Sequence, residues 1–182
     1  MRELRIHGRG GQGSVTAAEL IATAAFTAGV YSQAFPAFGV ERRGAPVQAF
    51  VRFSDEKIRL RSQIYEPDYI IVQDSTLIRD VNVFAGMSEG GIAIINTEKN
   101  GTEYNLPKGV KLITIDATKV ALEEIGLPIT NTTLMGAFAA ASGEITLEAL
   151  EGAIKERFDK KLADSNIAAA KRAYTMIKEG HA

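Results

Sequence analysis

The chain has 182 residues, 46% hydrophobic and 24% charged with a formal net charge of −1, which suits one globular domain over residues 1–182 with a core of its own. The balanced charge argues against a nucleic-acid binder, and the absence of cysteine excludes disulfides, thiolate catalysis and an iron–sulfur cluster held in the usual way. The opening Met1-Arg2-Glu3-Leu4-Arg5-Ile6 lacks the apolar stretch of a signal peptide, and no run reaches the roughly 18 apolar residues of a membrane span, so a cytoplasmic protein with no membrane partner is expected.

Leu4 to His7 reads as a short strand running into a glycine cluster. A helix follows from about Ser14 to Ala28, with Thr16, Glu19, Thr23 and Thr27 on one face and Gly29 as its stop. Val30 to Ala34 is a second strand. A loop from Phe35 to Pro46 follows, and Val47 to Phe53 alternates as a strand. The turn Asp55-Glu56-Lys57 and the alternation Ile58, Arg59, Leu60, Arg61 then predict a β-hairpin. Tyr69 to Val72, Ile92 to Ile95 and Leu112 to Ile115 are apolar runs of the kind buried on both faces of a sheet. The C-terminal third is helical, with stripes Leu147, Leu150, Ile154, Phe158 and Ile167, Ala170, Tyr174, Ile177, the last helix capped by Asp164 and Gly180. The pattern predicts an α/β fold: a three-layer Rossmann-like domain with a mostly parallel sheet plus a β-hairpin insertion. Ligands of such sheets sit at the carboxyl ends of the strands, here the loops after His7, Ala34, Val72 and Ile95.

Gly8-Arg9-Gly10-Gly11-Gln12-Gly13 matches G-x-G-x-x-G between a predicted strand and a predicted helix. Glycines permit the tight turn, and the helix N-terminus offers N–H groups and partial positive charge to an anion. Arg9 adds a mobile charge. The region about twenty positions on, Val30-Tyr31-Ser32-Gln33, holds no acid for a dinucleotide ribose, and Ser14 stands where a triphosphatase needs lysine. The loop therefore suits a phosphate or carboxylate outside the standard nucleotide sites, or serves close packing alone.

The segment Phe35-Pro36-Ala37-Phe38-Gly39-Val40-Glu41-Arg42-Arg43-Gly44-Ala45-Pro46 mixes aromatics and arginines between prolines. Such residues form interface anchors or bidentate anion contacts; the alternative is a surface ion pair with phenylalanines folded onto the core. Residues 1–61 carry nine Lys/Arg against five Asp/Glu, while the remainder carries 12 against 17. A basic N-terminal third suits an anionic ligand or an acidic partner. His7 is read as structural, since a general base needs a positioned partner. Asp74-Ser75-Thr76 and Asn131-Thr132-Thr133 fit either helix N-caps or ligand contacts. No catalytic residue and no metal site is expected.

His7 to Gly13, Phe35-Pro36 with Gly39 to Val47, Tyr69 to Asp74, and Asn131 to Ala137 together resemble the gamma subunits of the pyruvate and ketoisovalerate members of the 2-oxoacid:ferredoxin oxidoreductase family. The resemblance spans nearly the whole chain, and the first two motifs are the specific ones. It implies a holoenzyme that decarboxylates a 2-oxoacid, reduces ferredoxin and yields an acyl-CoA. Thiamine diphosphate, Mg and iron–sulfur clusters would sit on other subunits. Alpha, beta and delta subunits would be direct partners, with ferredoxin met indirectly. The chain would bind no cofactor tightly but would serve the coenzyme A side of the reaction. Its candidate cofactor-binding residues are Gly8, Arg9, Gly10, Gly11, Gln12, Gly13, Arg42, Arg43 and Asn131. The pyruvate enzyme is favoured. The alternatives are a ketoisovalerate or 2-oxoglutarate enzyme, or, on the glycine loop alone, a free-standing Rossmann-type nucleotide-binding domain.

Overall fold

A computed structural model describes residues 1–37, 43–99 and 104–180. Its strands are β1 (Arg2–Arg9), β2 (Tyr31–Pro36), β3 (Pro46–Ser54), β4 (Tyr69–Val72), β5 (Ile92–Asn96) and β6 (Lys111–Ile115). Its helices are α1 (Ser14–Thr27), α2 (Leu77–Asp80), α3 (Ala117–Glu124), α4 (Asn131–Ser142), α5 (Leu147–Arg157) and α6 (Lys160–Glu179). The strands form one sheet in the order β2-β3-β1-β4-β5-β6. β1, β4, β5 and β6 pair in parallel, whereas β3 runs antiparallel to both β1 and β2. β3 is thus the single reversed strand in an α/β sheet of otherwise uniform direction.

Alternation along each strand decides what covers it. Leu4 and Ile6 of β1, Val51 and Phe53 of β3, Ile71 and Ile94 face the helical flank, where they pack with Ile21, Phe138 and Ile154. Phe138 stacks on Phe53 and meets the edge of Tyr69. The opposite residues of β4 and β5, Ile70, Val72, Ala93 and Ile95, are covered by Leu77 of the one-turn α2 and by Val83, Phe84 and Met87 of the chain after it. The third layer is therefore thin and mostly irregular. On β1 and β3 that face is polar instead: Arg5, His7 and Arg52 are buried there.

The predicted hairpin is a correction. β3 pairs with β2 and β1, and Ile58 to Arg61 form no strand. The physical reason lies in the two buried arginines. Arg52 Nη2 donates to the carbonyls of Ser62 (2.7 Å) and Gln63 (3.3 Å), and its Nε meets Glu3 Oε1 at 2.6 Å. Arg5 donates to the carbonyls of Ile64, Val83 and Ala85. Both arginine side chains rise from the sheet and hold the carbonyls of residues 62–64, so residues 57–66 run off β3 as a strap whose later half is fixed across the sheet face. Gly86 (φ 71) lets the neighbouring chain pass under it, for a Cβ there would collide with the Tyr65 carbonyl. The last helix also begins earlier than its periodicity suggests. Asp159, not Asp164, caps it by accepting from Leu162 N, while Gly180 in the left-handed region ends it as expected.

His7 accepts from Arg5 Nε through Nε2 at 3.0 Å. Burial first, then the Arg5 charge, pushes its pKa down to about 3. The unfolded chain binds this proton below about 6.5 and the native chain does not, so stability falls as pH drops between those values. Across pH 6 to 4 the loss from this group is about 1.4 kcal/mol per pH unit at most. Denaturant titrations of the wild type and His7→Gln at several pH values should show a flatter dependence in the variant. Equal slopes would place the acid sensitivity elsewhere.

Candidate functional site

The glycine loop joins β1 to α1 at the carboxyl edge of the sheet. Gly13 stands at the N-cap of α1 with φ 75 and no side-chain cap on the helix. Asn131, the first residue of α4, lies against it: a Cβ on Gly13 would be 2.6 Å from Asn131 Nδ2. Asn131 Oδ1 accepts from Thr132 N. The N-terminus of α4 is thereby set beside that of α1, and both helices present partial positive charge to one place. A Cβ on Gly8 would strike Gln73 Oε1 and Ser14 Oγ, two atoms already joined by a 2.5 Å hydrogen bond. Gln73 is buried and ties β4 to this loop, its amide nitrogen reaching the Gln12 carbonyl at 3.4 Å and its backbone N–H donating to the His7 carbonyl.

The expectation of a mobile charge at Arg9 is corrected by its partners. Its Nε meets Asp74 Oδ2 at 2.9 Å, and its other nitrogens reach Thr76 Oγ1 and the Gly44 carbonyl. Burial works to raise the Asp74 carboxyl, but hydrogen bonds from Thr76 and Arg9 outweigh it and hold it below its usual range. The carboxylate thus stays charged opposite Arg9, and the guanidinium is committed to the protein. The glycine and arginine loops also meet through backbone. Gly10 N donates to the Ala45 carbonyl and Gly44 N to the Gly10 carbonyl, at 2.9 and 3.0 Å.

Beside this junction a cleft of about 840 Å³ opens along the ends of β4, β5 and β6. Gln12, Gln73 and Thr130 form the side nearest the glycine loop; Asn96, Asp116 and Thr118 form its floor. Asn96 fixes the floor, donating to the Gln73 carbonyl (2.9 Å) and to Thr118 Oγ1 (3.0 Å) and accepting from Thr118 N. Lys99 and Lys119 face the cleft against Asp74, Glu98, Asp116 and Glu123. Of these acids Asp74 belongs to the glycine-loop end, where it pairs with Arg9, and Glu98 and Glu123 balance the two lysines.

Of the predicted site residues, Gly8 to Gly13 and Asn131 converge, and Arg43 is exposed and bridged to Gly10. Arg42 lies outside the described residues, as do Phe38 to Glu41. The basic surplus of the N-terminal third does not gather at the loop: Arg5 and Arg52 are buried in the sheet, Arg2 pairs with Glu144 and Arg9 with Asp74. Gln73, Asn96 and Thr118 were absent from the predicted site. Gln73 belongs to a quoted motif and was open to recognition; Asn96 and Thr118 carry no local signal.

These features define an α/β domain of Rossmann type with a glycine-rich loop at its strand ends. The chain belongs to the pyruvate ferredoxin/flavodoxin oxidoreductase family, whose profile matches residues 3–176. It is 56% identical over 178 residues to pyruvate synthase subunit PorC of Methanosarcina barkeri, covering 98% of both chains. It is 53% identical to the pyruvate/ketoisovalerate oxidoreductases common subunit gamma of Thermococcus litoralis, covering 96% of both. Among solved structures, pyruvate oxidoreductase subunit PORC of Thermotoga maritima superimposes with a TM-score of 0.85 at 38% identity, covering 96% of this chain and 95% of that one.

Proposed function

We propose that this chain is the gamma subunit of a multi-subunit pyruvate:ferredoxin oxidoreductase, which converts pyruvate, coenzyme A and oxidised ferredoxin to acetyl-CoA, CO2 and reduced ferredoxin. The observation that carries this reading is the end-to-end correspondence with pyruvate synthase subunits. The chain acts as a single domain in the cytoplasm, with alpha, beta and delta subunits as partners and ferredoxin met through them. Thiamine diphosphate, Mg and the iron–sulfur clusters belong to those other subunits. A chain without cysteine offers no thiolate for a cluster.

Its contribution is to hold an anionic part of coenzyme A. Gly8, Arg9, Gly10, Gly11, Gln12 and Gly13 form the seat, Asn131 supplies an amide donor, Arg43 flanks it from the neighbouring loop, and Arg42 is assigned to the same anion from the sequence motif alone. Asn131 is buried and its Nδ2 faces the loop, a donor that can add one hydrogen bond to a phosphate. Asn131→Ala should raise the KM for coenzyme A roughly 5- to 10-fold, the worth of one such bond, and leave the KM for pyruvate unchanged. The assay is 2-oxoacid-dependent dye reduction by the complex recovered through a tagged chain. An unchanged KM for coenzyme A would remove this residue from the site. The common-subunit name of the Thermococcus litoralis relative favours ketoisovalerate as the second substrate to compare.

A further inference from the structure

We propose that the strap of residues 57–66 is a preformed docking edge for an acidic surface on a neighbouring subunit of the same enzyme; this rests on the reading of the chain as one subunit of several. The strap carries Lys57, Arg59 and Arg61 against one acid, Glu66, at its end. All three cations are exposed, and among the described residues none makes an ion pair. This sets them apart from Arg2, Arg9 and Arg52 of the same basic third, which are paired within the chain. Tyr65 is 70% exposed and Leu60 47% exposed. Exposed apolar side chains interleaved with free cations are the composition of an interface anchor with a charged rim.

The later half of the strap is also held from beneath. Arg52 and Arg5, themselves 1% and 6% exposed, hold the carbonyls of Ser62, Gln63 and Ile64. Ile64 is buried under it, and the Tyr65 backbone rests against Gly86. Residues 62–65 therefore have little chain entropy left to lose when a partner covers them, which favours a lasting contact. The chemistry selects the occupant: a carboxylate-rich surface with an apolar recess for Tyr65 and Leu60.

The test uses the tagged full chain co-expressed with the other subunits. Lys57→Glu/Arg59→Glu/Arg61→Glu reverses three exposed, unpaired charges, so its melting curve alone should match the wild type. Its affinity for the remaining subunits should fall by roughly 100-fold or more, because attraction becomes like-charge repulsion. The companion Lys57→Arg/Arg59→Lys/Arg61→Lys should retain them. If the reversed chain melts normally and recovers its partners undiminished at the same salt, the docking edge is overturned while the subunit reading stands. If the wild-type chain itself recovers no partner, both fall. A wild-type homodimer that the reversal alone dissociates would assign the edge to a second copy and overturn the proposal.

Discussion

Arg52→Ala is expected to lower the unfolding free energy by an amount toward the lower end of about 3–5 kcal/mol, the usual cost of deleting one member of a buried ion pair, because Glu3 keeps 18% exposure. Arg52 is 1% exposed. Its removal strands the Glu3 carboxylate at the sheet, frees the carbonyls of Ser62 and Gln63, and takes away the cation lying 5.0 Å from the Phe35 ring. Arg52→Lys should recover only part, because an ammonium cannot reach a carboxylate and two carbonyls with the fixed fork of a guanidinium. Denaturant unfolding measures the first effect. Trypsin measures its location, since Lys57, Arg59 and Arg61 place cleavage sites in the strap. The variant should be cut there several-fold faster under native conditions. An Arg52→Ala chain with unchanged midpoint and an uncut strap would show that Arg5 and Ile64 hold the segment by themselves.

Gly136→Ala is the second large effect, with an expected loss toward the upper end of about 1–3 kcal/mol for overpacking. A Cβ at Gly136 would collide with the Ala170 carbonyl and lie 2.7 Å from its carbon and 2.8 Å from its Cα. Backbone cannot rotate aside as a side chain can, so α4 and α6 must separate. One turn earlier on both helices Thr132 Oγ1 donates to Asn166 Oδ1 at 2.7 Å, and separation strains that bond too. Gly152 on α5 is the control, for a Cβ there meets nothing within 4 Å. Gly152→Ala should stabilise by about 0.5–1 kcal/mol through helix propensity. Opposite signs in the two unfolding curves are the expected result; a stabilised Gly136→Ala would mean the helices are free to part. Because Asn131 begins α4, the same variant should also weaken coenzyme A use.

Much of the sheet is legible in the sequence because β4 and β5 are unbroken apolar runs and the glycine loop punctuates β1 and α1. The strap was not legible. Ile58, Arg59, Leu60 and Arg61 alternate as a strand does, and nothing local reveals that Arg52 and Arg5, six residues or more away, hold the carbonyls that follow. Arg9 shows the same limit from the other side. Its place in a glycine loop suggests a ligand-seeking charge, but Asp74, 65 positions on, binds it. The meeting of Gly13 with Asn131 likewise depends on how α4 packs, and Asn96 and Thr118 join the cleft only through tertiary folding.

The backbone link between Gly10 and Gly44–Ala45 bears on the kinetics of the proposed site. Free loops would have to find each other before an incoming anion could touch both, and each encounter would be gated by that search. Here the stitch is already made, so an anion reaching the proposed site beside Arg43 would not wait for the two loops to meet, and salt, which screens encounter, should slow its capture. A stitched rim also moves as one body: whatever lifts Pro46 at the start of β3 lifts the glycine loop with it.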